Sequence, residues 1–423
     1  MRGDILRMSG KERQRGHLLQ MAAEGRITLR EAGVCMGVSY RHAKRLKRRY
    51  VMYGARGIIH GNRNRSSPNA MDPAVKERIL KLSKEKYASF NDSHFTEKLN
   101  EVEGIRISRE TVRKLRRSEG IQPKRIRRPR KHHKRRPRKD SEGMMVLWDG
   151  SPHKWFGKEF PPSCLMSAID DATGTVVASR FFPFEGSCGY LWLLQCMVER
   201  YGIPLTIYQD RHGSLHRNDN RWSLEEDLAG HQEPTQVGLA MANLGIHPIF
   251  ALTPQAKGRI ERLFNTFQDR LVAELQLAKI TNMEDANIFL DTYFLEDFNA
   301  RFAVDAQRSD KAWRAIPKGL DLESVISFRY TATVGNDNTV RLGGVIIDIP
   351  PGPKGRSYAQ AKTEVRQLLD GSWQVFYKNT LIAKHPSTSL SEPVRALNRK
   401  RSRGASSYSW IYQASCPGNN YSW

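Results

Sequence analysis

The sequence predicts a multidomain chain: N-terminal all-α helix-turn-helix modules, a central α/β core, and a small β-barrel toward the C-terminal end. Three observations lead there. The 423 residues exceed what one hydrophobic core normally serves. The apolar period changes along the chain, from helical spacing to apolar strands alternating with helices after Gly143, and then to short alternating runs after Leu320. Polar or basic segments separate the regions, giving expected bounds of 1–60 and 70–121 for two helical modules, 122–142 for a basic linker, 143–305 for the core, 320–385 for the barrel and 386–423 for a mostly disordered tail.

The first module follows from apolar residues at helical spacing, Leu18, Leu19, Met21 and Ala22, then Leu29, Ala32 and Val34, then Ala43 and Leu46. Residues 27–50 have the shape of a helix-turn-helix, with the turn at Met36-Gly37-Val38 and Ser39 as cap of the second helix. That helix carries Arg41, Lys44, Arg45, Lys47, Arg48 and Arg49 outside with no acid among them, which favours contact with DNA over a merely solvated face, with Arg41, Lys44, Arg45 and Arg48 the chosen DNA contacts. A second helix-turn-helix is expected around residues 107–115, with Ser108 as cap, Ile107 and Val112 as a hydrophobic staple, and Arg109 and Arg113 exposed to DNA. Residues 124–139 are crowded with Lys and Arg, broken by Pro129 and Pro137 and free of acids, so self-repulsion keeps them extended. His132 and His133 within that run have no cysteine partners and are assigned no metal role.

Net charge bounds the partners. An excess of 69 Lys and Arg over 44 Asp and Glu, a formal +25, calls for a polyanion, because each neutralised phosphate releases a condensed counterion. Double-stranded DNA leads. A membrane surface is the rival, but no apolar run is long enough to span a bilayer and no signal-peptide core opens the chain, so a cytoplasmic, nucleoid-associated protein is expected. The five cysteines show no CxxC pair and read as reduced thiols.

In the core the expected order is three strands, helix, strand, helix, strand, helix, which suits a mixed sheet covered on both faces. Asp149 ends the first strand and Asp210 the fourth, so a sheet that sets those strands side by side places both carboxylates on one rim. Glu261 falls in the first turns of the long last helix. Three such acids suit two-metal phosphoryl transfer, in which carboxylate oxygens clamp two Mg²⁺, or Mn²⁺, ions. Asp170 and Asp171, adjacent acids in the same region, sit in a hairpin turn that favours Asp by geometry alone and are assigned structure. Trp148, Trp155 and Phe156 are assigned to packing ahead of base stacking.

Three motifs carry a family resemblance: Trp148-Asp149-Gly150-Ser151-Pro152, then Tyr208-Gln209-Asp210-Arg211-His212-Gly213, then Gln255-Ala256-Lys257-Gly258-Arg259-Ile260-Glu261-Arg262. In order and in these settings, over roughly residues 11–384, they resemble an insertion-sequence transposase of the DDE, retroviral-integrase-like class, closest to the group ISNCY. The resemblance implies an α/β ribonuclease H-like catalytic core, cleavage at the ends of an element, and attack of the freed 3′-hydroxyl on target DNA. It implies Asp149, Asp210 and Glu261 as catalytic metal ligands, and a homo-oligomer on paired DNA ends. Lys257, Arg259, Arg262 and Arg270 surround Glu261 as candidates for holding phosphates, and His212 either touches the scissile phosphate or orients its loop. The zinc-binding His/Cys spacing found at the N-terminus of retroviral integrases is missing here, so end recognition falls to the helix-turn-helix modules. Two rivals stand beside this reading: a DNA-binding regulator descended from a transposase, against which the intact triad argues, and a structure-selective nuclease, against which the long N-terminal modules argue.

Overall fold

A computed structural model describes residues 8–60, 70–124, 136–217, 222–251 and 257–388, with Leu6, Asn62 and Val394. Most of the basic linker, including His132 and His133, most of the tail, and Gln255 and Ala256 of the third motif lie outside the described residues. The chain divides into two units, residues 1–78 and 79–423.

In the first unit α1 (Gly10–Ala23), α2 (Leu29–Cys35) and α3 (Tyr40–Tyr53) start where Ser9, Thr28 and Ser39 accept a hydrogen bond from a backbone N–H three residues on. Ser9 and Thr28 complete capping boxes with Glu12 and Glu31. The chain turns between α2 and α3 through Gly37, whose φ of 66° suits glycine. Leu19, Leu46 and Ile58 form the buried centre, with Leu29, Met36 and Tyr50 packed on it. A second glycine is fixed by close approach: a Cβ on Gly57 would stand 2.2 Å from the Arg49 carbonyl oxygen.

Helix α4 (Pro73–Glu85) crosses the division between the units. Past it, α5 (Asp92–Glu101) is capped by Asn91 and α6 (Arg109–Ser118) by Ser108. Phe90, Phe95, Leu99 and Val112 are buried around them. Ion pairs from Glu97 and Lys98, with a hydrogen bond between His94 and Glu274, dock α5 on the sheet-bearing part of the same unit.

The core sheet contains β1 (Met145–His153), β2 (Ser163–Asp170) and β3 (Val176–Phe182), then β4 (Thr206–Gln209) and β5 (His247–Phe250). Their order in space is β3-β2-β1-β4-β5; β1, β2 and β3 pair antiparallel, and β1, β4 and β5 pair parallel. The parallel steps need crossovers, supplied by α7 (Ser187–Tyr201) between β3 and β4, and by α8 (Leu224–Ala229) and α9 (Gln236–Asn243) between β4 and β5. Strand alternation sorts β1 between two cores. Val146 and Trp148 pack with α7 and α9, whereas Met145 and Leu147 pack with α10 (Gly258–Leu277), α11 (Met283–Phe289) and α12 (Leu295–Phe302). A π-helical turn, Leu290–Phe294, joins α11 to α12. The mixed sheet with helices on both faces is the arrangement expected from the strand and helix order. Asp170 accepts from the Gly143 and Thr173 amides and Asp171 is fully buried in ion pairs, so both acids are structural here.

After a short helix α13 (Leu322–Val325), the C-terminal strands are β6 (Phe328–Thr333), β7 (Thr339–Leu342), β8 (Val345–Asp348), β9 (Lys362–Gln367), β10 (Trp373–Tyr377) and β11 (Thr380–His385). The expected small β-barrel is corrected: among the described residues these strands make an open four-stranded sheet, β11-β10-β9-β6, and a separate hairpin, β7-β8. Closure requires the edge strands to pair, yet β6 bonds only β9 and β11 only β10 within the sheet, while four-residue β7 and β8 bond each other across the Gly343-Gly344 turn. Val340, Ile347, Val365, Trp373 and Val375 still share one core. Among the described residues no helix is long and apolar enough to cross a membrane, and Cys35, Cys164, Cys188 and Cys196 are free thiols.

Candidate active site on the sheet rim

Two adjacent parallel strands place the two aspartates. β1 and β4 are in register with Leu147 opposite Tyr208, so Asp149 and Asp210 emerge two residues further on along neighbouring strands. A buried hydrogen bond fixes that alignment: Trp148 Nε1 donates to Gln209 Oε1 at 3.0 Å, one residue before each acid. Alternation gives Asp149 the face of Met145 and Leu147, which α10 covers.

One cation joins the pair. The ammonium of Lys257, at the N-cap of α10, lies 2.9 Å from Asp149 Oδ1 and 3.2 Å from Asp210 Oδ2, and the residue is only 5 % exposed. Burial pushes the Asp149 carboxyl up to about 6, and the nearby Asp210 and Glu185 charges add to that, against the opposing attraction of Lys257. Asp210 also accepts from the His212 amide at 3.0 Å, and His212 Nδ1 stands 3.8 Å from Glu185 Oε1.

Glu185 is the residue that reading the sequence missed. It lies three residues beyond β3, where it resembles an ordinary acid at the start of a helix. The antiparallel register carries the end of β3 to the rim where β1 ends, and a Cβ on Gly150 would meet Glu185 Oε2 at 2.7 Å. The buried Tyr190 hydroxyl donates to Glu185 Oε1 at 2.6 Å, and burial, then that carboxylate, holds the phenol well above its ordinary range.

The third expected acid, Glu261, is exposed in the first turn of α10. Among the described residues no group of three or more His, Cys, Asp or Glu side chains is gathered closely enough to hold a metal ion. Asp149 and Asp210 are brought together, and Glu261 is not drawn into a cluster with them. Two carboxylates already sharing one cation are a hard-oxygen donor set that fits Mg²⁺ or Mn²⁺.

The basic candidates divide. Arg41, Lys44, Arg45 and Arg48 are exposed on α3. On α6, Arg109 and Arg113 are exposed, but Arg113 is forked onto Glu110 and Arg109 donates to Ser93. Arg262 is exposed on α10. Arg259 is engaged internally, with buried Asp171 and the Arg136 carbonyl, and Arg270 forms a two-pronged pair with Glu97 at 2.7 and 2.8 Å. The reason is the same for both: a buried or half-buried carboxylate lies nearer than solvent.

The expectation that Asp149 ends the first strand is corrected: β1 runs on to His153 because it stays paired with β2, and only its pairing with β4 stops before Asp149. Such a core, a five-stranded mixed sheet with one acid midway along β1 and another just past β4, defines an α/β protein with an acidic site. No family model matches the chain. It is 33 % identical over 375 residues to y4bF of Sinorhizobium fredii (strain NBRC 101917 / NGR234), a protein named as a transposase, covering 88 % of this chain and 80 % of that one. It is 35 % identical over 320 residues to the transposase for insertion sequence IS1202 of Streptococcus pneumoniae, covering 67 % of each. Among solved structures, a simian T-cell lymphotropic virus intasome in complex with PP2A regulatory subunit B56 gamma aligns over 73 % of this chain and 99 % of that one, at 13 % identity and a TM-score of 0.28. An HTLV-2 integrase catalytic core domain in complex with magnesium aligns over 36 % and 90 %, at 16 % identity and a TM-score of 0.25. TM-scores this low establish no shared fold. The two sequence relatives are sufficient: this chain belongs to the insertion-sequence transposases.

Proposed function

We propose that this protein is a DDE transposase that binds the ends of its element, cleaves there and joins the freed 3′-hydroxyls to target DNA. The observation that carries the reading is the pairing of Asp149, midway along β1, and Asp210, just past the end of β4, around a single cation. Asp149, Asp210 and Glu261 would hold Mg²⁺, which supplies activation of the attacking oxygen and charge stabilisation at the leaving one. Glu261 enters through its place in the third motif, on the helix whose N-terminus brings Lys257 to the aspartates. His212 and the Trp148–Gln209 bond keep the two strand ends in place. The exposed cations of α3, set after a glycine turn, are assigned to element-end DNA as a helix-turn-helix, with Arg109 and Arg113 of α6 and Arg262 of α10 binding further phosphates. Two ends must be cut and joined together, so the working form is a homo-oligomer on DNA. The three motifs support the finer ISNCY grouping.

The test is cleavage and joining of labelled DNA carrying the element's own ends, with Mg²⁺ or Mn²⁺. Asp149→Asn, Asp210→Asn and Glu261→Gln are each expected to bind the ends as the native chain does and to lose cutting and joining by a factor of about 10³ or more. A native chain that binds its ends specifically and never cuts them points to the regulator reading. Retained cutting by Glu261→Gln, with loss in Glu185→Gln, would move the third ligand to Glu185.

A further inference from the structure

We infer that Lys257 is a latch on the acidic pair: its ammonium engages the carboxylate oxygens that a divalent ion would take, so the two cations compete and ion entry displaces the lysine. The inference rests on the reading of Asp149 and Asp210 as metal ligands.

Three observations carry it. The Lys257 ammonium reaches both carboxylates, at 2.9 and 3.2 Å, so it sits between them as the shared counterion. The side chain is almost wholly buried while it does so, unlike the exposed Arg262 on the same helix. The residue stands at the N-cap of α10, outside the helical ladder, and Gly258 follows with no described heavy atom within 4 Å of a Cβ position. The neighbouring glycine adds no side chain beside that anchor point.

The electrostatics set the direction. Two carboxylates facing one another with no cation between them repel, and burial sharpens that repulsion. An ammonium relieves it with a single charge, and a divalent ion relieves it with two. The two cations compete for the same oxygens, so the apparent metal affinity of the free protein is lowered by the fraction of molecules in which the latch is closed. The latch offsets one of the centre's two negative charges until metal is supplied.

The experiment uses the full chain without DNA and has two arms. In the first, Mn²⁺ binding is measured by electron paramagnetic resonance for the native chain, Lys257→Met, Lys318→Met at an exposed lysine with no assigned role, and Asp149→Asn, each with a thermal melt in EDTA to confirm folding. Lys257→Met is expected to bind Mn²⁺ about tenfold more tightly than the native chain, Lys318→Met as the native chain does, and Asp149→Asn much more weakly. In the second arm, needing no variant, amine acylation at Lys257 is followed by mass spectrometry. Slow labelling in EDTA and much faster labelling with saturating Mn²⁺ is the expected result. If Asp149→Asn loses Mn²⁺ while Lys257→Met binds like the native chain and Lys257 labelling ignores metal, the latch is overturned and the metal-ligand reading stands. If Asp149→Asn binds Mn²⁺ as the native chain does, both fall.

Discussion

Trp148 and Gln209 show how the alignment of the proposed site depends on a bond between two residues that carry no charge. Each residue immediately precedes an aspartate, and the indole N–H of one donates to the buried amide oxygen of the other across two strands. Trp148→Phe keeps the ring in the core beside Tyr190 but leaves that buried oxygen unsatisfied. The expected outcome is a stability loss of about 1–3 kcal/mol in chemical denaturation, together with slower end cleavage and unchanged end binding. Equal stability with equal cleavage would show that the bond aligns nothing. Asp149 is legible from the sequence through its motif, although β1 runs on past it to His153. Glu185 is not, because its only local signal is an acid just before a helix, a common arrangement with no chemistry attached.

At the scale of elements, the sequence presents α5 and α6 as a free second helix-turn-helix, whereas the structure engages much of their charge internally. Arg116 and Arg117 close on Asp92, Glu97 takes Arg270, and Glu101 takes Arg301. Beneath them Glu274 of α10 accepts from His94 and Lys98, each at 2.7 Å. Burial on its own raises the Glu274 carboxyl, but the two hydrogen bonds outweigh it and the net shift is downward. A carboxyl lowered on folding adds stability above its unfolded value and loses it as pH falls through the lowered one. The native chain should therefore lose stability below about pH 4.5, partly through Glu274, and Glu274→Gln should flatten that acid limb while lowering stability at neutral pH, as read by thermal melts across pH. An unchanged acid limb would assign the loss to other carboxylates. Helix existence and caps are legible here through Asn91 and Ser108; the partners of the cations are not, since Glu97 and Arg270 lie 173 residues apart.

For the whole molecule, charge is the property that acts at long range. The excess of 69 basic over 44 acidic residues is a sequence fact, but its division between internal pairs and free surface is not. On α3, Lys47 donates to the Ala22 carbonyl and Arg49 to Ile59, leaving Arg41, Lys44, Arg45 and Arg48 exposed. Replacing those four by Gln should weaken binding to element ends and reduce the slope of log K against log salt by about 0.9 for each phosphate no longer neutralised. A slope that stays the same after all four replacements would remove α3 from the DNA interface.

By itself the sequence determined the helices with their capping serines, the alternation from strands to helices, the placing of the two aspartates on neighbouring strands, and membership of a transposase family through its three motifs. These depend on neighbours a few residues away, or on spacing, and both are written in order along the chain. Only the tertiary structure decided that Lys257 closes on Asp149 and Asp210, that Glu185 reaches the same rim, that Arg259 and Arg270 turn to carboxylates, and that the last strands stay open where a barrel was expected. Each of those outcomes is a contest between distant groups for one partner, settled by which reaches it first and how much water burial removes.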